Sequence, residues 1–96
     1  MTSVPKPPQG HFNVLYFASA SSYTGKEHEA LPAPLPLRTL FAELEAKYPG
    51  VKANVLDSCM VTVNLDYVDM SGDGAADAVV IQEADEVAII PPVSSG

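Results

Sequence analysis

The sequence predicts an α+β roll, in which one main helix packs across a mixed sheet of four to five strands. Three observations carry this. Leu37, Leu40, Phe41, Leu44 and Tyr48 stand at i, i+3, i+4, i+7 and i+11, the spacing of one apolar helix face. An early run, Val14-Leu15-Tyr16-Phe17-Ala18, and a late one, Val87-Ala88-Ile89-Ile90, are apolar on both faces, as strands at a sheet centre are. The chain has 96 residues and 47% hydrophobic content, enough for a single domain with one modest core.

Residues 1–10 hold Pro5, Pro7, Pro8 and Gly10 without apolar periodicity and read as a flexible Pro-rich lead-in to a domain spanning 11–93. Phe12 to Ala18 is the first strand, with Val14 and Tyr16 on one face and Leu15 and Phe17 on the other. Ser19 to Ser22 with Thr24-Gly25 gives a short turn or a single helical turn, and Glu27 to Leu31 returns antiparallel as a second strand. Pro32, Pro34 and Pro36 interrupt the approach to the helix, because proline cannot donate to a ladder. On the helix, Glu43 and Lys47 form an i, i+4 pair opposite the apolar face, and Pro49-Gly50 ends the element. Met60 to Val68 reads as one alternating strand. A Gly/Asp/Ala loop follows from Asp69 to Ala78, then a short apolar piece, Val79 to Ile81, and a turn at Glu83-Ala84-Asp85. The final strand, Val87 to Ile90, stops at Pro91-Pro92, and residues 94–96 form a slim extended tail of Ser94, Ser95 and Gly96.

Composition excludes several functions. A net charge of −7 disfavours nucleic acid, whose binding rests on neutralising phosphates, and suits a basic protein partner instead. No apolar run reaches the roughly 20 residues of a membrane span. A single cysteine cannot form an intramolecular disulfide, which is simplest in the cytosol. Asp69, Ser71, Asp73, Gly74 and Asp77 fill the first, third, fifth, sixth and ninth places of a calcium loop, but Val80 stands where the bidentate glutamate is needed, so the stretch reads as a solvated insertion. His11 and His28 are far apart, with no partners at zinc-ligand spacing. Cys59, at the entrance to a strand with no cation in its segment, reads as a small hydrophobe. Ser94 and Ser95 lack a local base, and no glycine-rich phosphate loop occurs. What remains is the Gly96 carboxyl, carried beyond a stiff Pro91-Pro92 stem where another protein can reach it; the plain alternative is a frayed end.

The ending Asp85-Glu86-Val87-Ala88-Ile89-Ile90-Pro91-Pro92-Val93, with a small-residue tip closing on glycine, resembles the MoaD/ThiS family of ubiquitin-like sulfur carriers, in its molybdopterin branch. The opening strand with Tyr23-Thr24-Gly25, the Tyr48-Pro49-Gly50 helix stop, and Val61-Thr62-Val63-Asn64-Leu65-Asp66-Tyr67-Val68 fit in the same order, over residues 12–96. The resemblance implies a β-grasp, ubiquitin-like fold with first and last strands side by side. It implies that an E1-like enzyme uses ATP to adenylate Gly96, through a transient glycyl-AMP, and that a rhodanese-type persulfide converts it to a thiocarboxylate. It further implies a heterotetramer with the large subunit of molybdopterin synthase, which receives the tail Pro91, Pro92, Val93, Ser94 and Ser95 and supplies the catalytic side chains. Sulfur then passes to cyclic pyranopterin monophosphate, forming the dithiolene. The chain would not be an enzyme on its own and would bind no cofactor or metal itself. Two departures stand out: Ser95 replaces the family's penultimate glycine, and Ala84 replaces the glycine of the turn before the last strand. Two other readings stay open: a carrier or lysine modifier of another pathway (thiamine or tRNA thiolation among them), and a non-covalent ubiquitin-like interaction module with an inert tail.

Overall fold

A computed structural model describes residues 6–68 and 79–92. Its elements run β1 (His11–Tyr16), α1 (Ser19–Thr24), β2 (His28–Pro32), β3 (Leu35–Pro36), α2 (Leu37–Lys47), α3 (Val51–Asn54), a 3-10 turn (Leu56–Ser58), β4 (Met60–Val63), β5 (Asp66–Val68), β6 (Val80–Ile81) and β7 (Glu86–Ile90). The main sheet has the order β2-β1-β7-β4-β5, and β3 pairs with β6 in a separate two-stranded ribbon. β7 lies at the centre, parallel to β1 on one side and antiparallel to β4 on the other. The first and last strands are therefore neighbours, as the β-grasp expectation requires.

The core forms between the inner sheet face and α2. Alternation sends Phe12, Val14 and Tyr16 of β1, Val87 and Ile89 of β7 and Val61 of β4 inward. The predicted helix stripe meets them: Leu37, Leu40, Phe41 and Leu44 are all buried. Burying these side chains supplies most of the stabilisation, at roughly 1.5–3 kcal/mol for each large apolar group.

Residues 60–68, predicted as one strand, are instead a hairpin. Val63 pairs with Asp66, and the two residues between them, Asn64 and Leu65, both adopt positive φ, 51° and 74°. Positive φ at both central residues is what a two-residue type I′ turn demands. Asparagine tolerates that region and leucine does not, so the sequence hides the turn that an Asn-Gly pair would have announced. The segment between α2 and β4 also proves ordered, with α3 and the 3-10 turn delivering buried Val51, Val55 and Leu56 to the core. Gly50 begins it at φ 90°, and a Cβ there would lie 2.5 Å from the Tyr23 hydroxyl, which donates to the Pro49 carbonyl.

One polar group is built into this packing. Glu29 of β2 accepts from Lys47 at 2.8 Å and Lys26 at 3.2 Å through Oε1, and from the Tyr48 hydroxyl at 3.0 Å and the Tyr16 hydroxyl through Oε2. Lys47 thus ties α2 to the sheet edge through Glu29, rather than to Glu43 as helical spacing predicts. Burial of the Glu29 carboxyl opposes its charge, but the lysine and tyrosine donors win and hold its pKa down at about 2. The Tyr16 phenol, buried and beside that carboxylate, is pushed well above its ordinary value.

The turn into β7 runs from Gln82 to Asp85, closed by the Asp85 N–H donating to the Gln82 carbonyl at 3.1 Å. Ala84, its third residue, has φ 68°. That conformation suits glycine, and alanine holds it under strain.

Two expectations follow. Glu29 stabilises fully above the unfolded value of 4.5, and that contribution is lost as pH falls from 4.5 toward 2. Glu29→Gln should cost about 1–3 kcal/mol at neutral pH in urea unfolding, with the wild-type and variant curves converging across that acid window. Ala84→Gly should raise stability by about 0.5–1 kcal/mol in the same assay, because it relieves the positive φ.

Candidate functional site

The site is assembled where β7 leaves the sheet. Ile90, its last residue, still pairs with Met60, and the Phe17 N–H donates to the Ile89 carbonyl at 3.1 Å, so the strand is held from both sides up to its end. Pro91 is buried and Pro92 exposed, so the chain leaves the body within one residue of the ladder. Two consecutive prolines cannot extend the ladder, and their fixed φ keeps the exit stiff. Val93, Ser94, Ser95 and Gly96 lie outside the described residues, as does the Asp69–Ala78 loop.

The sheet face turned away from α2 surrounds this exit. One register row crosses all five strands as His28, Leu15, Ala88, Thr62 and Tyr67. Toward the exit, Ile90 pairs with Met60, and Phe17 follows directly on the Tyr16–Ile89 pair. Phe17 is 44% exposed, Met60 50% and Tyr67 61%, although each is large and apolar or aromatic. Side chains of this kind left open on one face, next to an emerging segment, are what a protein-docking surface looks like. Sequence reasoning placed Leu15 and Phe17 on one face of the first strand and read Met60 to Val68 as one alternating strand, but the register that joins them into one surface depends on which strands pair. No lysine or arginine lies on the five strands of the sheet, while Glu86 and Asp66 do.

The other candidate groups are occupied structurally. Cys59 is half-buried, its thiol donating to the Leu56 carbonyl at 3.2 Å, and burial pushes its pKa up to about 11. A thiol so disposed is a poor nucleophile at neutral pH. Among the described residues, no three metal-ligating side chains converge. On the helical side, a cavity of about 420 Å³ is lined by Arg38, Phe41, Ala42, Glu45 and Lys52. There Glu45 accepts from the backbone N–H groups of Gly50 at 2.8 Å and Lys52 at 2.9 Å, capping α3, and Lys52 pairs with Asp57 at 3.1 Å.

Comparison with known proteins agrees with this architecture. The chain is 61% identical over 92 residues to a molybdopterin synthase sulfur carrier subunit of Phaeosphaeria nodorum, with 95% of this chain and 96% of that protein covered. It is 35% identical over 91 residues to the human protein of the same name, covering 93% and 98%. Among solved structures, SAMP1 from Haloferax volcanii superposes with TM-score 0.71 at 19% identity, covering 91% of this chain and all of that one. The complex of subunits 1 and 2 of the molybdopterin-converting factor from Helicobacter pylori includes a chain matching with TM-score 0.61 at 20% identity, covering 90% and 99%. These structures establish the ubiquitin-like β-grasp fold. The ThiS family profile matches residues 14–96, and with relatives this similar over nearly their whole length, the chain belongs to the ThiS family.

Proposed function

We propose that this chain is the sulfur carrier subunit of a molybdopterin synthase, with the Gly96 carboxyl as its reactive group. The observation that carries the reading is the sheet position of β7: the segment bearing Gly96 issues from the central strand through Pro91-Pro92, beside an open apolar face. The names of relatives up to 61% identical over almost the full chain support the same reading.

The chemistry follows from the weakness of a carboxylate as an acyl donor. An E1-like enzyme, binding ATP itself, joins Gly96 to AMP and releases pyrophosphate. The acyl-adenylate has a good leaving group, so a persulfide on a rhodanese-type partner displaces AMP. Reductive cleavage of the resulting acyl disulfide by a thiol leaves the thiocarboxylate. The large subunit then receives the tail and transfers sulfur to cyclic pyranopterin monophosphate, which takes two sulfurs to become the dithiolene. Two carriers in a heterotetramer match that stoichiometry. The chain contributes sulfur, a slender tail and a docking face of Leu15, Phe17, Met60, Tyr67 and Ile90, and the acid–base groups belong to the large subunit. Ser94 and Ser95 act as narrow spacers, and the whole sequence of steps takes place in the cytosol.

Incubation with a cognate activating enzyme, ATP and a sulfur donor should raise the intact mass by the difference between one sulfur and one oxygen. No gain, with that enzyme active on another carrier, overturns the proposal. Deleting Ser95 and Gly96 should abolish dithiolene formation while the thermal melting point stays within about 2 °C, since both follow the Pro91-Pro92 stop in sequence. Unchanged activity would instead favour a non-covalent interaction module, and Gly96 found in amide linkage to target lysines would favour a modifier.

A further inference from the structure

Among the described residues, the most exposed large apolar side chain lies at the other end of the sheet from the Pro91-Pro92 exit. Leu65, at the tip of the β4–β5 hairpin, is 86% exposed and sits at φ 74°. Both properties are unfavourable for leucine. A γ-branched side chain in the left-handed region is strained, and glycine is the ordinary residue at the second position of a type I′ turn. An exposed leucine contributes nothing to the core that would offset this.

The tip is also held firmly. The Asn64 amide donates from Nδ2 to Asp85 Oδ1 at 3.0 Å, and its Oδ1 accepts from the Glu86 N–H at 2.9 Å. The Asn64 N–H donates to the Glu86 carbonyl at 2.7 Å. Three bonds therefore fasten the residue before Leu65 to the start of β7, the strand that carries the tail. A strained, exposed side chain on a rigid mount is the pattern of a group retained for contact with something outside the molecule.

The charge around it describes the contact. Asp66 follows Leu65 directly, Asp85 and Glu86 lie across the Asn64 bonds, and no strand of the sheet carries a lysine or arginine. An apolar knob among carboxylates fits an apolar socket edged by basic side chains. Tyr67 of the docking face stands two residues after Leu65 on the same hairpin.

We infer that Leu65 is a preorganised anchor that inserts into an apolar, Lys/Arg-edged socket on the large subunit, and that the hairpin tolerates a strained turn in order to present it. This inference rests on the proposed role of the chain as the carrier of that synthase. Because β4 spans about 13 Å, at roughly 3.3 Å per residue, the large subunit grips the carrier at both ends of its central strands. One grip is the tail and the other is Leu65.

The test compares wild type, Leu65→Asn and Leu65→Met for thermal unfolding and for calorimetric binding to the cognate large subunit, each as a full chain. Asparagine accepts positive φ and removes the apolar knob, so Leu65→Asn should melt higher than wild type and bind at least tenfold more weakly. Leu65→Met keeps the apolar reach and should bind within about threefold of wild type, because methionine adapts to apolar sockets. Wild-type affinity should fall as salt rises from 50 to 500 mM, as expected of a carboxylate rim meeting basic side chains. Undiminished binding by Leu65→Asn overturns the anchor while leaving the carrier role intact. A lower melting point for Leu65→Asn overturns it as well, since leucine would then be structural. Failure of wild type itself to bind the large subunit overturns the carrier reading and the anchor together.

Discussion

The structure depends on the pairing of β7 with both β1 and β4. This strand lies near the C-terminal end of the chain and at the middle of the sheet, with Val87 and Ile89 buried completely against the helix side. Its pairing with β1 joins residues more than seventy positions apart, so most of the chain must be enclosed before the core closes. The consequence for function is mechanical. Whatever is attached beyond Ile90 is carried by a strand paired on both sides, and force or strain at the exit is passed to its neighbours in the sheet. A reactive group delivered to another protein's active site needs such a base, since position lost at the root of the tail is lost at its tip.

The two faces of the sheet divide the work. The inner face is closed by α2 and by the segment from Val51 to Leu56, and at its edge Glu29 gathers donors from β1, α2 and the loop before β2. A single carboxylate that satisfies four donors fixes the helix relative to the sheet more narrowly than apolar contact does. Among the described residues nothing comparable covers the outer face, and Phe17 and Met60 lie open beside the tail exit. For the carrier role proposed above, this arrangement leaves a docking surface uncovered without loosening the core.

Backbone strain is concentrated in the connections. Ala18, Asn64, Leu65 and Ala84 all adopt positive φ, in the turns that frame the first and last strands and the β4–β5 hairpin. At Ala84 the turn geometry is retained although a residue with a Cβ occupies it, which shows that the route into β7 outweighs the local preference of the residue. At Asn64 the side chain offsets the cost through its bonds to Asp85 and Glu86. Leu65 has no polar side-chain atom with which to offset the cost in the same way, and it is 86% exposed.

The sequence by itself determined the periodic parts and the family. The α2 stripe, the apolar first and last strands and the proline stop at Pro91-Pro92 are local patterns, written in side-chain spacing and in the missing N–H of proline. The acidic-Val-Ala-Ile-Ile-Pro-Pro-Val ending made the family legible in the same local way. Tertiary structure alone decided what depends on pairing. The hairpin at Asn64-Leu65 was concealed because leucine is a poor marker for a positive-φ turn. Lys47 reached Glu29 because β2 passes α2 at a point that helical spacing cannot foresee. The outer face of Leu15, Phe17, Met60, Tyr67 and Ile90 draws on four strands spread over more than seventy residues. No window of sequence contains it, since only ladder register brings those residues to one side.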